Sequence, residues 1–207
     1  MSAPAQPMTE PMIELGPGWV VREMPPGYQN RVAEIQRLTA DLQGMARFGR
    51  LLWEVGPALA EAVADMFAAL KFDVQTMATD SAPVVVVPLQ GTRRLLCHVS
   101  AEESPIQKKG ADLARVFQVL QEVATESDRV VLVVNSDPGT PPPERDGSIT
   151  PDALSFLRRM GVSHVQAPTL FALWTLALQD PDRARAQIER LHAQDGGTFD
   201  IPPSVLQ

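Results

Sequence analysis

Three histidines, one cysteine and a few clusters of charge are the groups with which this 207-residue chain would do chemistry. His98, His164 and His192 stand far apart, without the short intervals that zinc ligands use. A single cysteine, Cys97, excludes an intramolecular disulfide and a cysteine-rich metal site. Cys97 alternates with His98 on an expected strand, so its thiol should face the core as a structural group. Neither GxxxxGK[ST] nor GxGxxG occurs, so no nucleotide-binding loop is indicated. The basic positions are more suggestive. Lys108 and Lys109 fall in the expected first turns of a helix, where free backbone N–H groups would share a phosphate with them. Arg93 and Arg94 fall in a hairpin turn, and Arg47 and Arg50 precede the main body. Solvated surface charge is the plain reading of this set, and a phosphate-binding patch is the functional one.

These groups have to be positioned by the elements around them. Hydrophobic residues make up 44% of the chain and charged residues 21%, as in a globular protein with a sizeable core. The net charge of −7 disfavours a globally basic nucleic-acid binder. No apolar run is long enough to span a membrane, and the N-terminus lacks the regions of a signal peptide, so a cytoplasmic home is expected. Residues 1–29 hold six prolines and read as a flexible tail, with Trp19-Val20-Val21 as an apolar island that packs on the body or docks a partner. Residues 30–55 read as an amphipathic helix. Ile35, Leu38, Leu42, Met45, Gly49 and Leu52 fall on a and d positions of successive heptads, flanked by Phe48, which makes Ile35, Leu38, Leu42, Met45 and Leu52 candidates for self-association.

Residues 56–195 read as one α/β domain, and residues 196–207 as a frayed tail. A helix over Pro57–Leu70 precedes a strand over Phe72–Ala78. The β-branched run Val84–Val87 and the segment Arg94–Ser100 form a hairpin through Gln90-Gly91-Thr92. Ser104-Pro105 should open a helix to about Thr125, with Ile106, Leu113, Val116, Phe117, Leu120 and Val123 as its apolar stripe. A strand over Val130–Val134 and a proline-rich loop over Ser136–Ser148 follow. Thr150-Pro151, Pro168 and Asp180-Pro181 open three more helices, with a short strand at Val162–Gln166.

This order resembles the restriction-endonuclease-like, or PD-(D/E)xK, superfamily over roughly residues 51–179. The likeness rests on Leu51-Leu52-Trp53-Glu54-Val55-Gly56 leading into a helix, Leu70-Lys71-Phe72-Asp73-Val74 entering the first strand, and the Val-rich strand ending Val134-Asn135. It implies a mixed central sheet flanked by helices, here preceded by a long N-terminal helix. In active members an Asp opens the second strand and a Glu-x-Lys lies on the third, where the carboxylates hold Mg²⁺ and the lysine supports the attacking water. Laid on this chain, the motif falls on Pro83 or Val84, on His98 and on Ser100. None of these can replace two carboxylates and a lysine. Glu61, Asp80, Glu102 and Glu103, with Lys108, are the residues from which a displaced metal site would have to be rebuilt, although acids flanking strands are common as turn formers.

The resemblance therefore implies a non-enzymatic interaction or scaffold protein on a catalytically inactive nuclease-like domain. It would self-associate or bind a protein partner through the N-terminal helix, with no metal and no cofactor. A non-cleaving nucleic-acid-binding protein is the alternative, followed by a metal-dependent nuclease with a rearranged site.

Overall fold

The computed structural model describes residues 19–78, 83–102 and 105–205. The chain divides into a segment of residues 1–44 and a larger compact unit of residues 45–207. In the first, a short helical turn α1 (Val20–Glu23) precedes the long helix α2 (Tyr28–Ala46), which begins within the stretch expected to be a tail. No residue of α2 is buried.

The larger unit is a three-layer α/β/α body. Its sheet has six strands in sequence order: β1 (Gln75–Met77), β2 (Val84–Pro88), β3 (Arg94–Val99), β4 (Asp128–Val134), β5 (Ser163–Gln166) and β6 (Gly197–Phe199). β2 runs antiparallel to both of its neighbours, and β3 to β6 are mutually parallel. The central strands are buried on both faces, which explains the near-continuous Val and Leu of β2 and β4. Val85, Val87, Cys97, Val131 and Val133 face a core built with α4 (Gly56–Ala69), α7 (Ala167–Gln179) and α8 (Pro181–Ala193). Their alternates Val84, Val86, Leu96, Leu132 and Val134 face α5 (Ala111–Glu122) and α6 (Pro151–Arg159). Prolines stand in the first turn of α4, α6, α7 and α8, where the missing N–H has no helical partner to lose.

Several expectations are corrected. The 30–55 stretch is not one helix. α2 ends at Ala46, a 3₁₀ turn follows over Arg47–Gly49, and α3 (Arg50–Trp53) completes it. The bend carries Phe48 and Leu51 into the core, where Phe48 stacks on Trp174 at 4.6 Å. Leu52 is left half-buried on α3, after the 3₁₀ turn has interrupted the helical spacing. The segment 196–207 is not simply a frayed tail, because Gly197–Phe199 pairs with β5 and buries Phe199. Gly197, at φ +91°, is needed there: a Cβ would lie 2.9 Å from Arg158 Nε.

The first strand is shorter than expected, Gln75–Met77. Ser104 lies outside the described residues, but the helix after it begins only at Ala111, because residues 105–110 take another path. Ile106 N–H donates to Ser148 O at 3.0 Å and Thr150 N–H to Ile106 O at 3.0 Å. This bridge between Ile106 and Ile149 spends the backbone groups that a helical first turn would use. Phe117, placed on the apolar stripe, is exposed.

Candidate functional site

β3 carries the positions where the nuclease-like reading puts its chemistry. The antiparallel register sets Val84 opposite His98, so the start of β2 and the end of β3 do meet. Period-2 alternation turns His98 and Ser100 to the α5 face of the sheet. There they meet a residue that the sequence reading missed, Asp112 in the first turn of α5.

The Asp112 carboxylate is wholly buried and takes bonds from three side chains. Ser100 Oγ–H donates to Oδ2 at 2.6 Å. His98 Nε2 lies 3.1 Å from Oδ1, and because an ionised carboxylate can only accept, Nε2 carries the proton. Arg115 Nη1 reaches Oδ1 at 3.4 Å. Burial alone would push this carboxyl up. The bonds from His98 and Ser100, with the charges of His98 and Arg115, outweigh it and hold Asp112 below the ordinary carboxylate value. Ser100 Oγ also accepts Glu102 N–H at 3.0 Å, and His98 Nδ1 is buried without a partner among the described residues.

The arrangement differs from a hydrolytic triad. The carboxylate sits between serine and histidine, so the imidazole does not touch the hydroxyl it would have to activate. It differs as well from the paired carboxylates of a Mg²⁺ site, since Asp112 has committed both oxygens to protein donors. Beside it, Gly56, Pro57, Ala60, Pro83, Val99, Ala101 and Arg115 line a recess of about 210 Å³. Gly56, at φ +58°, lets its N–H reach Ser100 O at 3.1 Å and ties the start of α4 to the end of β3.

The displaced carboxylates do not assemble among the described residues. Glu61 is exposed on α4 and pairs with Arg50 at 3.1 Å. Glu102 follows β3 with its N–H held by Ser100. Asp80 and Glu103 lie outside the described residues. No group of three or more His, Cys, Asp or Glu side chains is gathered to hold a metal among those described.

The basic set is dispersed. Arg94 forms a two-pronged bond to Asp128, at 2.9 and 2.6 Å, and Arg93 pairs with Glu189 at 2.8 Å. Both lie at the start of β3, whereas Lys108 and Lys109 come after its end in the chain. Lys108 and Lys109 occupy an exposed turn before α5 rather than its first turn, so the helix-terminus argument for phosphate binding does not apply to them. Arg47 lies over the Phe48 ring at 4.6 Å. Arg50, Arg93 and Arg94 are thus each paired with a carboxylate of the same chain.

The remaining reactive groups are turned inward. Burial pushes the Cys97 thiol up to about 12, which leaves it protonated and unreactive. His164 is buried on β5 with Nε2 3.0 Å from Ser148 Oγ, and burial pulls it down to about 4. His192 Nε2 lies 3.0 Å from Ser127 O.

Among the described residues, α2 carries an exposed apolar line. Ile35 (41% exposed), Leu38 (46%), Leu42 (61%) and Met45 (51%) keep the 3-4-3 spacing of a two-helix seam. No described helix is long and apolar enough to cross a membrane. Comparison with family models, with curated proteins and with solved structures finds no match.

Proposed function

We propose that the chain is a non-enzymatic interaction protein: a nuclease-like domain without its catalytic groups, joined to a helix that pairs with a second copy of itself. The observation that carries the reading is the exposed line Ile35, Leu38, Leu42 and Met45. Four large apolar side chains on one seam are a liability on a free helix and an asset on a paired one. A sheet in sequence order, with only its second strand reversed and a helix before the first strand, supports the nuclease-like part. So does the meeting of Val84 with His98, two of the positions on which that superfamily's motif falls.

The interior of the site supports the loss of catalysis. Asp112 is bound on both oxygens, and Ser100 supplies no cation to hold an attacking water. The nucleic-acid alternative loses Arg93 and Arg94 to carboxylates of the same chain. Light scattering of the full chain should give a mass at least twice 22.5 kDa, falling to 22.5 kDa in a Leu38→Glu/Leu42→Glu variant that keeps its helical signal. A wild-type chain that remains monomeric at high concentration overturns the self-association. Cleavage of single- or double-stranded substrates with Mg²⁺ or Mn²⁺ overturns the non-enzymatic reading.

A further inference from the structure

The connection from β4 to α6 runs from Ser136 to Ser148 and contains four prolines, Pro138, Pro141, Pro142 and Pro143. Between those two buried serines no residue is buried, so no apolar side chain anchors the span. Its ends are fixed. Ser148 bonds the His164 ring, and its carbonyl accepts from Ile106 N–H. Asn135, just before the span, donates from Nδ2 to Glu54 O at 2.7 Å.

The middle is held by one side chain. Arg145 Nη1 donates to Asn135 Oδ1 at 2.6 Å, Nε donates to Thr140 O at 2.8 Å, and Nη2 donates to the carbonyl of Leu52 at the end of α3. All three acceptors are neutral, and the Asp137 carboxylate acts on the guanidinium through its charge alone, without a bond. Pro142–Glu144 form a 3₁₀ turn in which Glu144 N–H donates to Pro141 O at 2.9 Å, and three consecutive prolines with fixed φ stiffen it, so the span moves as a piece rather than residue by residue. Asp137, at φ +51°, holds a left-handed conformation that a non-glycine residue adopts at a cost. Gly147, at the other end, turns freely.

We infer that residues 137–147 are a strap over the carboxyl edge of β4 that opens as a unit about Asp137 and Gly147, with Arg145 as its latch. Opening frees Asn135 Oδ1 and the carbonyl of Leu52 from Arg145. The strap thus controls whether these groups meet solvent, and the stiffness of the proline turn makes one side chain sufficient to hold it shut.

Hydrogen exchange on the full chain tests this. The amides of Thr140, Glu144 and Arg145 are bonded within the strap. In Arg145→Ala they should exchange at least about tenfold faster, and a glutamate-specific protease should cut after Glu144. Peptides from β4 and α7 should keep their wild-type protection. Arg145→Lys retains the charge but carries its donors on one nitrogen, which cannot span the acceptors on Asn135, Thr140 and Leu52, so its strap should exchange at a rate between the other two. Unchanged strap exchange in the alanine variant overturns the latch, as does wild-type protection in the lysine variant. Loss of protection throughout β4 and α7 overturns it too, since Arg145 would then be part of the core.

Discussion

The two ends of β3 carry the same device made from different parts. At its start, Asp128 is wholly buried and held by Arg94 through two bonds and by Thr125 through its N–H and hydroxyl, both at 2.8 Å. At its end, Asp112 is wholly buried and held by Ser100, His98 and Arg115. Burial pushes both carboxyls up, and in both the surrounding donors win and hold them below the ordinary value. The partners set the two apart. Arg94 keeps its charge at every accessible pH, and its own value is raised by the bond to Asp128. Asp112 depends on a hydroxyl, an imidazole and a long arginine contact. One end of the strand is a fixed clamp, and the other, where the nuclease-like reading puts metal chemistry, is a buried network in which the protein satisfies the Asp112 carboxylate but leaves His98 Nδ1 without a partner among the described residues.

Removing each carboxylate is the strongest way to break this comparison. Asp112→Ala leaves Ser100 and His98 buried without their acceptor, and should cost about 3–5 kcal/mol. Asp128→Ala leaves Arg94 about one-third exposed and able to turn to water, so the cost should be nearer about 2–3 kcal/mol. Denaturant unfolding of both variants measures the difference. Equal losses would mean that solvent access at the two ends is alike.

Acid sharpens the comparison next. His164 is neutral in the folded state, with its value lowered to about 4 from 6.5, so the unfolded chain takes up a proton first. Its contribution is complete above pH 6.5 and is lost as pH falls to about 4, by roughly 3 kcal/mol. Asp112 and Asp128 have lowered folded values as well, so their contributions stand above the ordinary carboxylate value of 3.8 and are lost only below it. Stability should therefore fall in two stages. The upper one should vanish in His164→Gln, which unfolding at pH 7, 5 and 3.5 would reveal. A single stage near pH 3 would show that His164 is not buried in its neutral form.

How far these features could be read beforehand follows from where their causes lie. Val84–Val87 and Val130–Val134 announce themselves because a strand buried on both faces has to be apolar throughout. Pro57, Pro151, Pro168 and Pro181 mark helix starts because their constraint is local. Asp112 was hidden by the opposite situation. It stands four residues before Val116 on the buried side of α5, and a carboxylate in that stripe is the sign that something must pair with it. Its partners, His98 and Ser100, lie on a distant strand. β6 was hidden because Gly196-Gly197 reads as a break, whereas the glycines are there for close passage beside Arg158. The helical spacing continues through Met45 and breaks before Leu52, where the core claims Phe48 and Leu51 instead.

The smallest effects separate the two ends most finely, because they remove one hydroxyl from each. Ser100 is buried, and its Oγ both donates to Asp112 and accepts Glu102 N–H. Thr125 is exposed, and its backbone N–H still reaches Asp128 when the hydroxyl is gone. Ser100→Ala removes a bond to a charged group from a site that water does not enter, so about 1–3 kcal/mol should be lost. Thr125→Val leaves Asp128 with Arg94 and one backbone donor, and water can replace the missing hydroxyl, so the loss should stay below about 1 kcal/mol. A double variant should lose the sum of the two, because the sites share no partner and lie at opposite ends of a strand about 17 Å long. Urea unfolding of the two single variants and the double one decides the matter. A Thr125→Val loss as large as that of Ser100→Ala would mean that the clamp at Asp128 relies on its hydroxyl as heavily as the buried network does, and the contrast between the two ends would fail.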